Sequence, residues 1–307
     1  MRPGGGCISL ALHGTRAVFS ELSSTYPLKL LSPSVHDKTA IVYLLTYGGG
    51  LVGGDEVDLE VNVLPGAQLV LLSQGTTKVF KSRPGRRLAS VKPQALHLTS
   101  DPNSQDNPVS STRQDITFHI ARNATLFLLP EPVTCFRDAS YNQYQTFYIE
   151  DGGSAVILDW ITSGRMSMGE EWAFTHYHSV NEVFHDDKRV AKDVMLLERE
   201  KPGTLLPERS LRQRLLPYSC YAMLILYGPR LQAIMTDVTS LYDQIAVFKT
   251  RIPDPLLWSL SPMDRTRQGV VIRVAGMETE AVKSWLNQTL SGLEEIIGKD
   301  VFRRVFT

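Results

Sequence analysis

The amino-acid sequence predicts a mainly β protein with two amphipathic helices in its C-terminal third. Three observations point there. Apolar and polar residues alternate in "VDLEVNV" (57–63) and "DITFHI" (115–120), the period of two that marks a half-buried strand. Short runs of this kind follow one another across the first two-thirds, divided by turn sequences such as Pro65-Gly66 and Asp151-Gly152-Gly153. Beyond residue 230 the period changes. Leu231, Ile234, Met235, Val238, Leu241, Tyr242, Ile245 and Phe248 recur at three- and four-residue steps, as on one face of a helix.

Taken in chain order, "IVYLLTY" (41–47), "VDLEVNV" (57–63) and "QLVLLS" (68–73) read as strands joined by a glycine turn and by Pro65-Gly66. Strands follow at 115–120, 125–130 and 155–160, with others within 141–150, 171–184 and 190–198. Residues 99–113, "TSDPNSQDNPVSSTR", carry almost nothing apolar and read as a mobile insertion. "SCYAMLILYG" (219–228) and "GVVIRVAG" (269–276) are strand-like. The helices are expected near 231–249 and 279–297, the second capped by Thr279 and facing the core with Val282, Trp285, Leu286, Leu293 and Ile296. A sandwich, a barrel and a β-solenoid all fit this pattern.

A chain of 307 residues can bury a large core, and its 32 basic and 32 acidic residues cancel. No global field therefore favours nucleic acid or an anionic membrane. The longest apolar runs, such as "AMLILY", fall far short of the roughly 20 residues that span a bilayer. The N-terminal "MRPGGGCISLALHGTR" makes a poor signal peptide. Cys7, Cys135 and Cys220 are few, odd in number and far apart, which suits small buried thiols in a reducing, cytoplasmic setting.

The stretch "YGGGLVGGDEVDLEVNV" (47–63) contains GxGxxG in Gly48, Gly50 and Gly53. A dinucleotide-binding loop needs a helix next, whose N-terminus holds the pyrophosphate. Here a period-two strand follows, and about 20 residues on the chain reads "LVLLSQG", with no acid for a ribose. A nucleotide-dependent oxidoreductase using the Gly48–Gly53 loop is thereby disfavoured. Gly48, Gly49, Gly50, Gly53 and Gly54 read instead as a structural turn that permits positive φ and close backbone approach. No GxSxG elbow or phosphate-binding GxxxxGK[ST] loop occurs, and nothing marks Ser154 of "DGGSAV" as activated.

One local signal concerns metal. His176 and His178 in "AFTHYHSV" stand two apart, so on a strand they share a face, with His185 and Asp186 further on. Imidazole suits nickel, copper and zinc; the plainer reading is a solvated strand face, and no stable metal site is expected. Polar residues also gather at strand ends: Asp55 at the mouth of the glycine turn, Ser73 and Lys78 in "SQGTTKVFKS", Glu131 in "LPEP", and Arg165 and Glu170 in "SGRMSMGEEW".

These same stretches carry a resemblance. "YLLTYGGGLVGGDEVDLEVNVLPGAQLVLLSQGTTKVFKS" is similar to the signature region of the urease accessory protein family UreD, called UreH in some bacteria. "GTRAVFSELSSTYPLKLLSP", "ATLFLLPEPVTCFRDASYNQ" and "SAVILDWITSGRMSMGEEW" match in family order, over about residues 5 to 200, and the C-terminal third matches loosely. The resemblance implies one UreD-like domain across residues 1–307: a β body at about 5–200, a strand–helix–strand–helix part at about 210–307, and a solenoid-like stack of strands. It implies a scaffold or chaperone, not an enzyme, that binds apo-urease and a helical UreF-like protein, and through the latter a UreG-like GTPase. It admits a homodimer within that complex. No cofactor is held tightly; nickel passes transiently along a polar passage, for which Asp55, Ser73, Lys78, Glu131, Arg165 and Glu170 are the candidate lining or partner-contact residues. Outside the resemblance, the third class is a β-solenoid hydrolase, which would need paired carboxylates in a cleft.

Overall fold

Two large sheets face each other in the computed structural model, which describes residues 2–81, 111–199, 209–245, 254–263 and 268–305. The first has seven strands in the spatial order Lys188–Glu198, His176–His185, Ser140–Ile149, Thr112–Ile120, Glu56–Val63, Gly5–His13 and Arg16–Ser24. Its five inner strands pair in parallel, and each outermost strand is antiparallel to its neighbour. The second sheet runs Leu256–Pro262, Gly269–Gly276, Cys220–Tyr227, Ser154–Thr162, Thr125–Leu128, Gln68–Ser73, Thr39–Thr46 and Leu28–Leu31, with three short strands off this path.

From residue 39 to 185 the main strands alternate between the sheets. Thr39–Thr46, Gln68–Ser73, Thr125–Leu128 and Ser154–Thr162 join the second; Glu56–Val63, Thr112–Ile120, Ser140–Ile149 and His176–His185 join the first. From Gln68–Ser73 onward, each pairs in parallel with the strand laid down one passage earlier in its sheet. Short strands Thr77–Val79 and Val133–Cys135 add a narrow third ribbon, which an isolated bridge extends to Leu51 and a two-residue pairing joins to the end of Ser154–Thr162.

The layering explains the hydropathy pattern. The first sheet buries one face only, so Val57, Leu59, Val61 and Val63 point inward while Glu60 is exposed. The second is covered on both faces and reads as continuous apolar runs, as doubly buried parallel strands do. Along Ser154–Thr162, Ala155, Ile157 and Ile161 pack between the sheets, while Val156, Leu158 and Trp160 pack with Ile234, Met235, Val238, Val282 and Leu286 of the helices. The C-terminal third thus extends the second sheet and caps its outer face.

Most expected strands lie where the period places them, 68–73 and 269–276 to the residue. Several elements differ. Strands Gly5–His13, Arg16–Ser24, Leu28–Leu31 and Leu256–Pro262 were not expected, although Ile8, Leu10 and Leu12 alternate with Ser9, Ala11 and His13 in the first of them. The first helix spans Gln232–Asp243, with Leu231 in a one-turn 3-10 helix before it; residues 246–249 lie outside the described residues. The second expected helix is two, Thr279–Thr289 and Leu293–Ile297, interrupted at Ser291-Gly292. A Cβ on Gly292 would stand 3.0 Å from Ile234 Cγ1, so the break lets the chain press against the first helix. Thr279 is the first helical residue rather than the cap; Glu278 holds that position without a side-chain bond. Thr112 and Arg113 of the expected insertion are strand, and residues 99–110 lie outside the described residues.

Candidate functional site

The space between two sheets is ordinarily apolar, and over most of this body it is. At one level it is not. On Ser140–Ile149 the inward positions run Tyr141, Gln143, Gln145, Phe147, Ile149; on His176–His185 they run Tyr177, Ser179, Asn181, Val183. Facing them from the second sheet is Asp159, the one acid in the inward-facing row of an otherwise apolar strand.

These side chains bond one another. Ser179 Oγ donates to Asp159 Oδ2 at 2.5 Å and Asn181 Nδ2 to the same oxygen at 2.8 Å. Gln143 Nε2 reaches Asp159 Oδ1 and Ser179 Oγ, each at 3.1 Å, and Gln143 Oε1 accepts from Tyr141 at 3.1 Å. Burial pushes the Asp159 carboxyl above the usual range, and the three donors oppose that shift. Gln145 Oε1 and Asn181 Oδ1 are buried without a hydrogen-bond partner among the described residues. Such orphaned acceptors cost about 1–3 kcal/mol each unless water or a cation meets them.

The polar group extends both ways. Gln143, Gln145 and Asp159 line a cavity of about 50 Å³ with Ser73, Thr77, Gln114 and Glu131, room for an ion or a few waters. The Glu131 backbone N–H donates to Ser73 Oγ at 2.8 Å, and the Glu131 carboxylate lies 3.2 Å from Lys283 Nζ on helix Thr279–Thr289. In the other direction Asn181 stands opposite Asp193 in register, and Asp193 pairs with Arg273 of the second sheet. A polar seam therefore runs through the β body from Ser73 and Glu131, past Asp159, to Asp193 and Arg273.

Of the residues marked by sequence, Ser73 and Glu131 line this seam's cavity. Of the other four, Lys78 lies on the narrow third ribbon, Asp55 in the glycine turn, and Arg165 and Glu170 opposite each other in a separate two-strand pairing. Asp55 is 1 % exposed and closes the glycine turn: its Oδ2 accepts from the Val52 N–H at 2.8 Å, and its carbonyl accepts from Arg113 N at 2.9 Å. The Lys78 carbonyl takes the Leu51 N–H at 2.8 Å while its side chain is exposed. Arg165 grips Glu170 with two bonds of 2.8 Å and lies over the Phe136 ring at 4.2 Å. This grip, with Arg137 near by, holds the Glu170 carboxyl below its ordinary range.

The glycine turn is architectural. Gly48, Gly49 and Gly54 have φ of 75°, 78° and 93°, where a side chain is strained. At Gly50 an added Cβ would stand 2.6 Å from the Lys78 carbonyl, so the close approach is within the chain itself. Gly53 is buried beside them, and strand Glu56–Val63 follows where a nucleotide loop requires a helix.

Cys7, Cys135 and Cys220 are unpaired. Burial pushes all three thiols up, Cys220 to about 12 and Cys7, which Glu21 also raises, to about 11. His176 and His178 share the outer face of the first sheet, their ring centroids 6.2 Å apart. His185, nine residues on by number, turns toward Tyr227 at the far end of that strand, roughly 30 Å away at the strand rise. Among the described residues no three His, Cys, Asp or Glu side chains converge on a point as they stand. Nor is any described helix long and apolar enough to cross a membrane.

Sequence reasoning missed Gln143, Gln145, Asp159, Ser179, Asn181 and Asp193. Gln143, Gln145, Ser179 and Asn181 are polar residues on the parity that their strands otherwise give to buried side chains, a signal that can be read only once the register is known.

Fold and site together define a mainly β protein with a hydrogen-bonded polar seam between its sheets and a glycine turn that is not a nucleotide loop. The chain belongs to the UreD urease accessory protein family, which it matches over residues 4–305. It is similar to urease accessory protein 4 of Cryptococcus neoformans var. grubii, 36 % identical over 98 % of this chain and 94 % of that protein. It is also similar to urease accessory protein UreD of Anaeromyxobacter sp. (32 %; 99 % and 90 %) and urease accessory protein D of Arabidopsis thaliana (30 %; 93 % and 95 %).

Proposed function

We propose that this chain is a scaffold in urease maturation that binds apo-urease and a UreF-like helical protein, and helps deliver nickel to the urease active site. A UreG-like GTPase joins through the helical partner, and the complex, which admits a homodimer of this chain, works in the cytoplasm. The role is binding and delivery rather than catalysis. Membership of the urease accessory family supports the first half of this reading.

The observation that carries the second half is the seam. Asp159 flanked by the orphaned oxygens of Gln145 and Asn181 offers a cation neutral and anionic oxygen ligands in the buried interior. Oxygen donors hold a borderline ion such as Ni²⁺ more weakly than imidazole or thiolate would, and weak holding permits release. The alternation of strands between the sheets is read as a solenoid-like stack of one UreD-like domain, whose inside such a seam can traverse. At the helical end, Leu241 and Leu257 are 49 % and 44 % exposed, which suits the edge of a partner contact.

Co-purification tests the reading. A tagged chain should retain apo-urease and the UreF-like protein from cells that express them. Capture of neither would contradict the scaffold role. An oxidoreductase using the Gly48–Gly53 loop would instead bind a nicotinamide dinucleotide, against the strand that follows the turn.

A further inference from the structure

The outer face of the seven-stranded sheet carries a second polar group that the seam does not use. Ser140, Asn142, His176, His178 and Glu198 lie on this face in adjacent register positions of three strands. The ring of His176 lies between two oxygens. Its Nε2 lies 3.2 Å from Asn142 Oδ1, and its Nδ1 lies 3.5 Å from Glu198 Oε2. Asn142 is fixed in this orientation because its Nδ2 donates to Ser111 Oγ at 2.5 Å. Both neighbours of the ring are therefore acceptors. A neutral imidazole has one N–H, so it satisfies one acceptor and aims a lone pair at the other. When Nε2–H bonds Asn142, the Nδ1 lone pair and the Glu198 carboxylate converge on the same space.

That space suits a cation. A metal about 2.1 Å from a ring nitrogen and from a carboxylate oxygen spans the Nδ1–Oε2 gap with little movement. His178 supplies the second imidazole. Its ring stands 6.2 Å from that of His176, edge to face, and its Nδ1 meets the Tyr144 hydroxyl at 3.4 Å, which leaves Nε2 for a ligand. We propose that His176, His178 and Glu198 form a surface site for a borderline divalent cation such as Zn²⁺ or Ni²⁺, closed by rotation of their side chains. The two imidazoles give it the nitrogen donors such ions prefer over Ca²⁺ or Mg²⁺. Asn142 acts behind it, orienting His176 through the nitrogen that does not ligate, as second partners of metal-binding histidines do.

This site is separate from the seam. It lies on the opposite face of strand His176–His185 from Ser179 and Asn181, and its test needs no urease. The tag-free full chain is titrated with zinc chloride alone, then with nickel chloride alone, followed by calorimetry and by the histidine ring resonances in NMR. One equivalent should bind, and the rings of His176 and His178 should shift while that of His119 does not. His178→Gln should weaken binding by about tenfold or more, and Asn142→Ala by a smaller factor. Glu182→Gln, on the same face but engaged with Arg189 and Lys192, should leave the affinity unchanged. The variants sit at the surface, and circular dichroism checks that each is folded. Equal affinity in the wild type and in a His176→Gln/His178→Gln double variant would overturn the site, as would no binding or unshifted rings at saturation.

Discussion

The side-chain amide of Asn181 donates to the Asp159 carboxylate at 2.8 Å, joining the two sheets across their interior where leucine and isoleucine would ordinarily meet. The carboxyl is buried and its pKa is raised, first by that burial. A carboxyl raised on folding contributes stability that is fully present below the unfolded pKa and lost as pH rises through the folded value. Wild-type stability should therefore fall, relative to Asp159→Asn, as pH rises from the ordinary carboxylate range at about 4. Urea denaturation of both proteins as pH rises measures the difference; parallel curves would mean that Asp159 is not buried as described.

The glycine turn should respond unequally along its length. Gly50→Ala puts a Cβ 2.6 Å from the Lys78 carbonyl and from the Phe80 ring, so backbone must move, at a cost of about 1–3 kcal/mol. Gly48→Ala meets nothing within 4 Å and pays only for its positive φ of 75°, about 1–2 kcal/mol. Chemical denaturation should rank Gly50→Ala as the more damaging. The reverse order would separate the turn from strand Thr77–Val79.

The Arg165–Glu170 grip should show as an acid-side effect. A carboxyl lowered on folding contributes stability above the unfolded pKa and loses it as pH falls through the folded one. Glu170→Gln should thus destabilise modestly at neutral pH, because Arg165 is half in solvent, and the deficit should vanish in acid. Thermal unfolding at several pH values checks this. A deficit that persists in acid would point to packing rather than charge.

Folding and partner binding should separate on the helices. Leu286 is buried where helix Thr279–Thr289 packs on the second sheet, so Leu286→Ala should cost about 2–5 kcal/mol. Leu241, half exposed on helix Gln232–Asp243, should tolerate Leu241→Ser in folding but lose affinity for the UreF-like partner. Denaturation and pull-down together read both outcomes; full partner binding by the folded Leu241→Ser variant would move the contact elsewhere.

The layers were legible because burial imposes a period. Strand Gln68–Ser73, covered on both faces, appears in the sequence as an apolar run between turns, and the stripe from Ile234 to Val238 marks the side of the helix that meets the sheet. Helix ends were less legible, since Gly292 interrupts a stripe whose apolar spacing continues through Ile296. The site was half legible. Ser73 and Glu131 are at strand ends, where polar residues stand out against the strand before them. Gln143, Ser179 and Asn181 are inside strands, where alternation hides them: a polar residue at an inward position looks the same as one at an outward position until the register is known. Which strands face each other decides that a lone Asp159 meets all three, and that pairing is a property of topology rather than of any local pattern.

Passage of nickel along the seam is read most directly from the nickel content of urease matured with charge-removing variants of this chain. Asp159→Asn, Glu131→Gln and Asp55→Asn remove charge with little change in volume, and size exclusion reports whether each variant still assembles with its partners. Asp159→Asn and Glu131→Gln, whose side chains line the cavity, should assemble normally and yield urease with lowered nickel. Asp55→Asn acts through its turn and should lower assembly and nickel together. Normal assembly with full nickel loading in both Asp159→Asn and Glu131→Gln would contradict such passage and leave the seam as structure alone.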